Sequence, residues 1–164
     1  MLAPMRAALC LSVAFFSACA TTSAAPKPDP NAKLEVSRAS EREPKAGPSE
    51  VFVGEVTVTP LFTPNEFRKA GAGLVTFAPG ARSAWHRHPK GQTLVITRGT
   101  GWVQQQGEAK LEVKEGDVVW TPPGVVHWHG ATETDAMQHV ATQEPVEGVA
   151  VEWLQQVSQD EYLR

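Results

Sequence analysis

Residues 80–99 read GARSAWHRHPKGQTLVITRG, and their spacing constrains the architecture of the whole chain. His86 and His88 are two positions apart, so on a strand both imidazoles point to the same face. The letters PKG at 89–91 predict a turn after that strand. The turn can bring the amide oxygen of Gln92 back towards the two imidazoles, where all three groups can reach one metal ion.

A third imidazole follows at the end of residues 116–127, which read GDVVWTPPGVVH. This segment predicts a strand, a Pro-Pro-Gly turn, and His127 just beyond the turn. Neutral imidazoles and an amide oxygen are suitable ligands for Mn, Fe, Co, Ni or Zn. The two cysteines, Cys10 and Cys19, fall within the first twenty residues, which excludes disulfides and thiolate metal sites from the folded domain.

Together the two segments resemble the cupin family. The matching positions are Gly80, His86, His88, Gly99, Gly116, Pro122, Gly124 and His127. Gln92 stands where the family usually has Glu, and Ala131 stands where it usually has Asn. The resemblance implies an all-β fold, the cupin double-stranded β-helix or jelly-roll barrel, over about residues 51–153. The strand pattern agrees, since roughly eight to ten short strands separated by frequent turns indicate a sandwich or barrel.

Residues 80–94, 116–120, 127–131 and 137–139 are similar to small bacterial cupins of the hydroxynitrile lyase type. In such proteins the positions matched by His86, His88, Gln92 and His127 bind manganese or another divalent ion. The resemblance further implies that His139 acts in acid–base chemistry and that three pocket positions contact the substrate. These positions are Gly73, Val75 and Gln143. The implied substrates are aromatic cyanohydrins such as mandelonitrile.

Glutamine at position 92 affects the charge of a bound metal ion. A glutamate ligand would cancel one charge of a divalent ion, whereas glutamine cancels none. A neutral set of ligands leaves the full charge on the ion and makes it a stronger Lewis acid towards an alkoxide. It is also a poorer match to the centre with two histidines and one carboxylate found in many iron oxygenases. The ligand set therefore weighs against oxygen activation without excluding it.

The remaining histidines allow two interpretations each. Met137, His139, Ala141 and Gln143 share one face of a predicted strand. His139 on that face is either a catalytic general base or a hydrogen-bonded core residue. His129 shares a face with His127, where it is either a further ligand or a residue at the rim or behind the ligands.

The N-terminal part predicts export. Residues 1–19 read as a secretory or lipoprotein signal segment that ends at Cys19, the predicted lipidation site. Simple cleavage near residues 24–25, giving a soluble periplasmic protein, is the alternative. Residues 20–49 read as a flexible linker and 50–164 as the cupin domain. We therefore expect a periplasmic protein tethered to the membrane only by its lipid.

Composition and topology set the expected partners. The 164-residue chain has a net charge of −3, which gives no indication of nucleic-acid binding. The expected ligand is a small molecule, and exposed edge strands favour a homodimer or homotetramer. Three functions remain open: a metal-dependent lyase acting on a cyanohydrin or related hydroxyl or carbonyl substrate, a metal-dependent dioxygenase or oxidoreductase, and a non-catalytic periplasmic binding module.

Overall fold

The computed structural model describes residues 29–164. Twelve strands are assigned in this part of the chain: β1 Lys45–Ala46, β2 Phe52–Val53, β3 Val56–Phe62, β4 Gly71–Phe77, β5 Arg82–Ser83, β6 His86–Arg87, β7 Gln92–Gln105, β8 Leu111–Lys114, β9 Val118–Thr121, β10 His127–Ala131, β11 Met137–Gln143 and β12 Glu152–Trp153. A 3-10 turn spans Ala39–Glu41, and the helix α1 spans Gln159–Leu163. Among the described residues, no helix is long and apolar enough to cross a membrane. The predicted signal segment and Cys19 lie outside them.

The long strand β7 joins two antiparallel layers. Its first half pairs with β11 and β9, and β11 continues the sheet through β4, β3 and β1. Its second half pairs with β10 and β8, and β10 continues towards β5 and β2. The sheet therefore curls around an interior, and the all-β antiparallel jelly roll predicted from the sequence is confirmed.

Burial alternates along the central strands, as a half-enclosed sheet requires. In β11, Met137, His139 and Ala141 are buried while the residues between them are only partly buried. Phe77 and Leu94, on the neighbouring strands, have no exposed surface and pack into the same core cluster. The inner face of this sheet therefore continues from an apolar core towards the histidines.

Strand register brings the predicted pocket residues onto that inner face. Val75 lies opposite His139, and Gly73 lies opposite Ala141. Gln143, at the end of the same strand, lies opposite Gln92 of β7. Residues directly opposite each other project to the same side of a sheet. The sheet therefore places these side chains around one cavity.

Strand pairing begins before residue 50, the predicted start of the domain. Lys45 and Ala46 lie in the segment interpreted as a linker, yet they pair with Val58 and Thr57 at the edge of the sheet. Residues 36–164 form one compact unit. Pairing at a sheet edge needs only backbone N–H and C=O groups, so a polar sequence can provide it without an apolar pattern.

A second core cluster lies beneath the C-terminal segment. It contains Trp85, Trp128, Val157 and Tyr162. The Tyr162 hydroxyl donates to the carbonyl oxygen of Ala131 at 3.0 Å, and the Arg82 guanidinium donates to the carbonyl oxygen of Val157. Ser158 and Glu161 form a capping box at the start of α1. The C-terminal segment is therefore an integral part of the barrel.

Replacing Tyr162 by alanine (Tyr162→Ala) is expected to lower the free energy of unfolding by about 3 kcal/mol, because it removes a buried ring. Tyr162→Phe keeps the ring and removes only the hydrogen bond to Ala131, so its expected loss is about 1 kcal/mol. Urea denaturation of the two variants measures both. Equal losses in both variants would contradict the packing role assigned to the ring.

Candidate metal centre

Three imidazoles meet where β6, β7 and β10 approach each other. His127 is the cross-strand partner of His86, and their ring centroids are 4.2 Å apart. His88, just beyond the end of β6, lies 5.1 Å from His86 and 5.5 Å from His127, again between ring centroids. All three are buried. The rings of the three predicted ligands therefore lie near one another, but the three histidines whose nitrogens lie within 4.8 Å of one another are His86, His127 and His129, without His88.

Backbone carbonyl groups determine which nitrogen of each ring is free. The Nδ1 atoms of His86, His88 and His127 lie 2.9, 2.7 and 3.1 Å from the carbonyl oxygens of Ala84, Ala150 and Val125 respectively. A carbonyl oxygen can only accept, so in His86 and His88 Nδ1 carries the proton and Nε2 a lone pair. His127 has an oxygen acceptor beside each nitrogen, so its neutral ring donates to only one of them. Metal-binding histidines in proteins are oriented by contacts of this kind. The rings of His86 and His88 therefore present Nε2 as the nitrogen that could bind a cation.

Gln92 completes the set. Its Oε1 lies 3.2 Å from His127 Nε2, and its Nε2 donates to Gln143 Oε1 at 3.4 Å. His127 Nε2 donates to Gln92 Oε1 when it carries the ring proton; when Nδ1 carries it, both atoms present lone pairs that a cation beside them would stabilise. His88 Nε2 is buried without a hydrogen-bond partner among the described residues. The donor set of three imidazoles and one amide oxygen fits a divalent transition metal.

His129 lies closer to the ligands than an interpretation as a rim residue implies. One nitrogen of each of His86, His127 and His129 lies within 4.8 Å of the others. His129 is buried, and its Nε2 has no hydrogen-bond partner among the described residues. The alternation His127-x-His129 repeats that of His86-x-His88, and this repeated spacing is the sequence signal for its position.

His139 lies next to His129 on the inner side of the barrel. The distance from His139 Nε2 to His129 Nδ1 is 3.2 Å, so one of these nitrogens donates to the other. His139 has no exposed surface, its Nδ1 has no partner among the described residues, and its ring centroid lies 5.6 Å from that of Phe77. The sequence left a catalytic base and a hydrogen-bonded core residue open. The structure shows a buried imidazole paired with a second imidazole.

A cavity of about 400 Å³ opens beside these histidines. Gly73, Val75 and Gln143, the predicted pocket residues, line it together with His129 and His139. A Cβ added at Gly73 would meet nothing closer than 3.7 Å, so this glycine leaves space in the wall. Sequence reasoning missed several further wall residues: Lys45, Phe52, Val58, Val151 and Trp153.

Comparison with known proteins identifies the family of this chain. The chain is 48% identical over 132 residues to an (R)-mandelonitrile lyase from Granulicella tundricola, which covers 80% of this chain and all of the relative. The family profile described as the cupin domain matches residues 73–142, which contain all five histidines.

This chain is a cupin.

Solved structures give the same result. A cupin-like protein from Thermotoga maritima superposes on this cupin with a TM-score of 0.68 and 42% identity, covering 71% of this chain and 89% of the other. A cupin-2 domain from Rhodospirillum rubrum has a TM-score of 0.56 and 23% identity, covering 70% of this chain and 82% of the other, and shows the shared fold alone.

Burial keeps the histidines of this cupin neutral. Desolvation lowers the pKa of His127 to about 4 and that of His139 to about 3. The pKa values of His86, His88 and His129 are also lowered, chiefly by burial. A neutral imidazole is the form that binds a metal, so these rings are in the metal-binding form at neutral pH.

The same shifts predict acid instability of the metal-free protein. In the unfolded chain each histidine has a pKa near 6.5, whereas His127 and His139 in the folded protein take up protons only near about pH 4 and about pH 3. The stability that these two histidines contribute by staying neutral is therefore fully present above about pH 6.5, and it decreases as the pH falls from there towards their folded-state pKa values. The loss should be about 1.4 kcal/mol per pH unit for each such histidine. Urea denaturation between about pH 7 and about pH 4.5 measures it. A free energy of unfolding that is constant over this range would contradict the prediction.

Proposed function

We propose that this cupin is a lyase dependent on a divalent metal, which cleaves or forms a small aromatic cyanohydrin such as mandelonitrile. One observation carries the proposal: three buried imidazoles lie close together beside Gln92, and two of them, His86 and His88, donate from Nδ1 to backbone carbonyls and line a mainly apolar cavity. The name of the Granulicella tundricola relative supports the reaction class.

The residues that would hold the metal are His86, His88, Gln92 and His127. Manganese is favoured by the resemblance to the hydroxynitrile lyase group, and iron, cobalt, nickel or zinc suit the same donors. When bound, the ion would supply Lewis acidity that stabilises negative charge developing on the substrate oxygen. Because these four ligands are neutral, none of them reduces the charge of the ion.

The cavity wall would bind and orient the substrate. Val58, Val75 and Ala141 provide an apolar surface, and Phe52 and Trp153 form an edge-to-face aromatic pair with ring centroids 5.7 Å apart. Such a wall suits an aromatic ring and excludes water from the reacting end. The amide of Gln143 accepts from Gln92 through Oε1, which leaves its N–H groups to donate to the nitrile nitrogen.

We assign the proton transfer to the pair formed by His129 and His139. Each ring has one buried nitrogen without a partner among the described residues, and their other nitrogens are 3.2 Å apart. A proton that enters at one ring can therefore be shared with the other. In the cleavage direction the pair accepts the hydroxyl proton, the C–C bond to the nitrile breaks, and a C=O bond forms. The departing cyanide then takes the proton and leaves as hydrogen cyanide, so no oxidant or reductant is consumed.

The test is cyanohydrin cleavage by the purified protein, stripped of metal and reloaded separately with Mn, Fe, Co, Ni or Zn. We expect benzaldehyde and cyanide to form from mandelonitrile in equal amounts, without oxygen uptake, and only in metal-loaded samples. Oxygen uptake with a phenolic or diketone substrate and no cyanide release would instead favour the dioxygenase alternative. Tight ligand binding without turnover of any substrate would favour a binding module.

We also propose that the chain is exported and lipidated at Cys19, on the basis of the signal segment 1–19. Cys19→Ser is expected to move the protein from the membrane fraction to the soluble periplasmic fraction, as immunoblotting of cell fractions would show. An unchanged distribution would contradict lipidation at this residue. The homo-oligomer expected from exposed sheet edges stays a prediction, which the mass of the purified protein in solution tests.

A further inference from the structure

The wall of the cavity carries one formal charge. Among the residues that the structure describes around it, Lys45 is the only side chain that is charged at neutral pH, and no carboxylate is present. The lining histidines are neutral because burial lowers their pKa values. Four neutral ligands would also leave the full charge of a divalent ion in place. Lys45 is therefore the one formal positive charge on the wall, and a divalent ion held by the histidines would add a second positive region.

Strand register explains why Lys45 reaches the cavity. Lys45 lies opposite Val58, Val58 lies opposite Val75, and Val75 lies opposite His139. Residues directly opposite each other share a face, so Lys45 lies on the same inner face as His139. Neighbouring strands are about 4.8 Å apart, which places the two backbones roughly 14 Å apart across three strand steps. A lysine side chain and one aromatic ring together span a distance of this order.

The ammonium group of Lys45 has no partner that would neutralise it. It makes no ion pair and no side-chain hydrogen bond with any residue in the described part of the chain. The same cavity is lined by the apolar residues Ala46, Pro48 and Val58. Lys45 is exposed, so it lies at the rim of the cavity, where water weakens its attraction for an anion. It is still the one formal charge of the wall that an anionic group entering the cavity would meet.

We propose that Lys45 binds the anionic end of the substrate, which is then a small hydroxynitrile, or the matching carbonyl compound, with a carboxylate opposite the reacting oxygen. The assignment of the reacting end rests on the lyase function proposed above. The cavity volume of about 400 Å³ lies within the range of small-molecule sites. The carboxylate lies at Lys45, the ring lies on the apolar wall, and the reacting oxygen lies beside the histidines.

Two aldehydes that differ only at the far end provide the test, 4-formylbenzoate and 4-formylbenzamide. Their binding to metal-loaded protein is measured by calorimetry and by the fluorescence of the tryptophans, one of which, Trp153, lines the cavity. The wild type is expected to bind the carboxylate more tightly than the amide. Lys45→Met keeps the side-chain length and is expected to weaken carboxylate binding about two- to fivefold, with amide binding unchanged. Lys45→Glu should weaken carboxylate binding further.

Lys90→Met is the matched control, because Lys90 is exposed in the turn after His88 and does not line the cavity. It should leave the preference for the carboxylate unchanged. Equal affinity of the wild type for both aldehydes, or equal losses in Lys45→Met and Lys90→Met, would overturn the proposal. Equilibrium binding needs no turnover. A protein that prefers the carboxylate through Lys45 but cleaves no cyanohydrin would therefore refute the lyase function and leave the Lys45 assignment standing.

Discussion

Replacing His127 by alanine (His127→Ala) is expected to abolish metal binding and turnover together. His127 Nε2 faces Gln92 Oε1, and its ring is 4.2 Å from that of His86 between centroids. Its loss would remove one of the four proposed ligands and leave the other three without a complete set. We expect metal affinity to fall more than about 100-fold, since disturbing even the groups behind the ligands costs about 10- to 100-fold. Elemental analysis after dialysis and a cyanide-release assay measure the two effects.

Thr93→Ala is the control for general disturbance of the sheet around the proposed centre. Thr93 lies in β7, which carries Gln92 and pairs with the strand of His127, β10. Thr93 follows Gln92 in β7 and points to the opposite face, where it pairs with Trp120. This variant should keep both metal and turnover. A His127→Ala protein that retained a full complement of metal and wild-type turnover would show that the centre lies elsewhere.

Replacing His139 by glutamine (His139→Gln) is expected to lower kcat about 10²- to 10⁴-fold while metal content stays unchanged, because positioned general bases contribute rate factors of this size. Glutamine occupies much of the volume of histidine, which limits the loss of packing against Phe77. His129→Gln should have a similar effect, because the two imidazoles share one hydrogen bond at 3.2 Å. Steady-state kinetics and elemental analysis are the measurements.

The double variant distinguishes a pair from two independent groups. Residues that act as a unit give strongly non-additive effects, so the combined change in His129 and His139 should cost little more than either single change. Thermal unfolding of each variant controls for folding. A wild-type kcat in His139→Gln would exclude a role of His139 in proton transfer. If the fold-losses in kcat of the two single variants multiply in the double variant, the two histidines do not act as a unit.

Local spacing made much of the site predictable. The alternation of His86 and His88, the turn after them, and the position of Gln92 at the start of β7 depend on contacts within a few residues. The turn before His127 adds the third imidazole in the same way. Side chains two positions apart on a strand point to the same side of the sheet, so such spacing directly predicts which residues share a face. This is why the ligand candidates and the all-β class could be read from sequence.

Contacts between distant strands were not predictable from the same pattern. Lys45 reaches the cavity wall only because an edge strand pairs with β3 in one particular register. The pairing of His129 with His139 depends on two strands from different layers of the barrel. Neither arrangement leaves a periodic signal in the segments involved.

The positions of the charged residues near His86 and His88 were also not predictable from the sequence. Arg87 and Lys90 both place positive charge beside the ligands in the sequence. The structure pairs Arg87 with Glu152 at 2.7 Å on the surface, and Lys90 is exposed. Trp153, which follows Glu152, meanwhile lies 4.8 Å from His86 between ring centroids. The exposed ion pair between Arg87 and Glu152 thus lies beside the buried contact between His86 and Trp153, which lines the cavity.

The most direct test is a titration of metal-free protein with Mn²⁺, in which bound metal and cyanide release from mandelonitrile are measured on the same samples. If the histidines and Gln92 form one centre on which the reaction depends, cyanide release should rise in proportion to bound metal. It should reach its maximum at a single equivalent per chain. Full cyanide release from the metal-free protein, or metal binding at that stoichiometry with no cyanide release, would contradict a metal-dependent lyase.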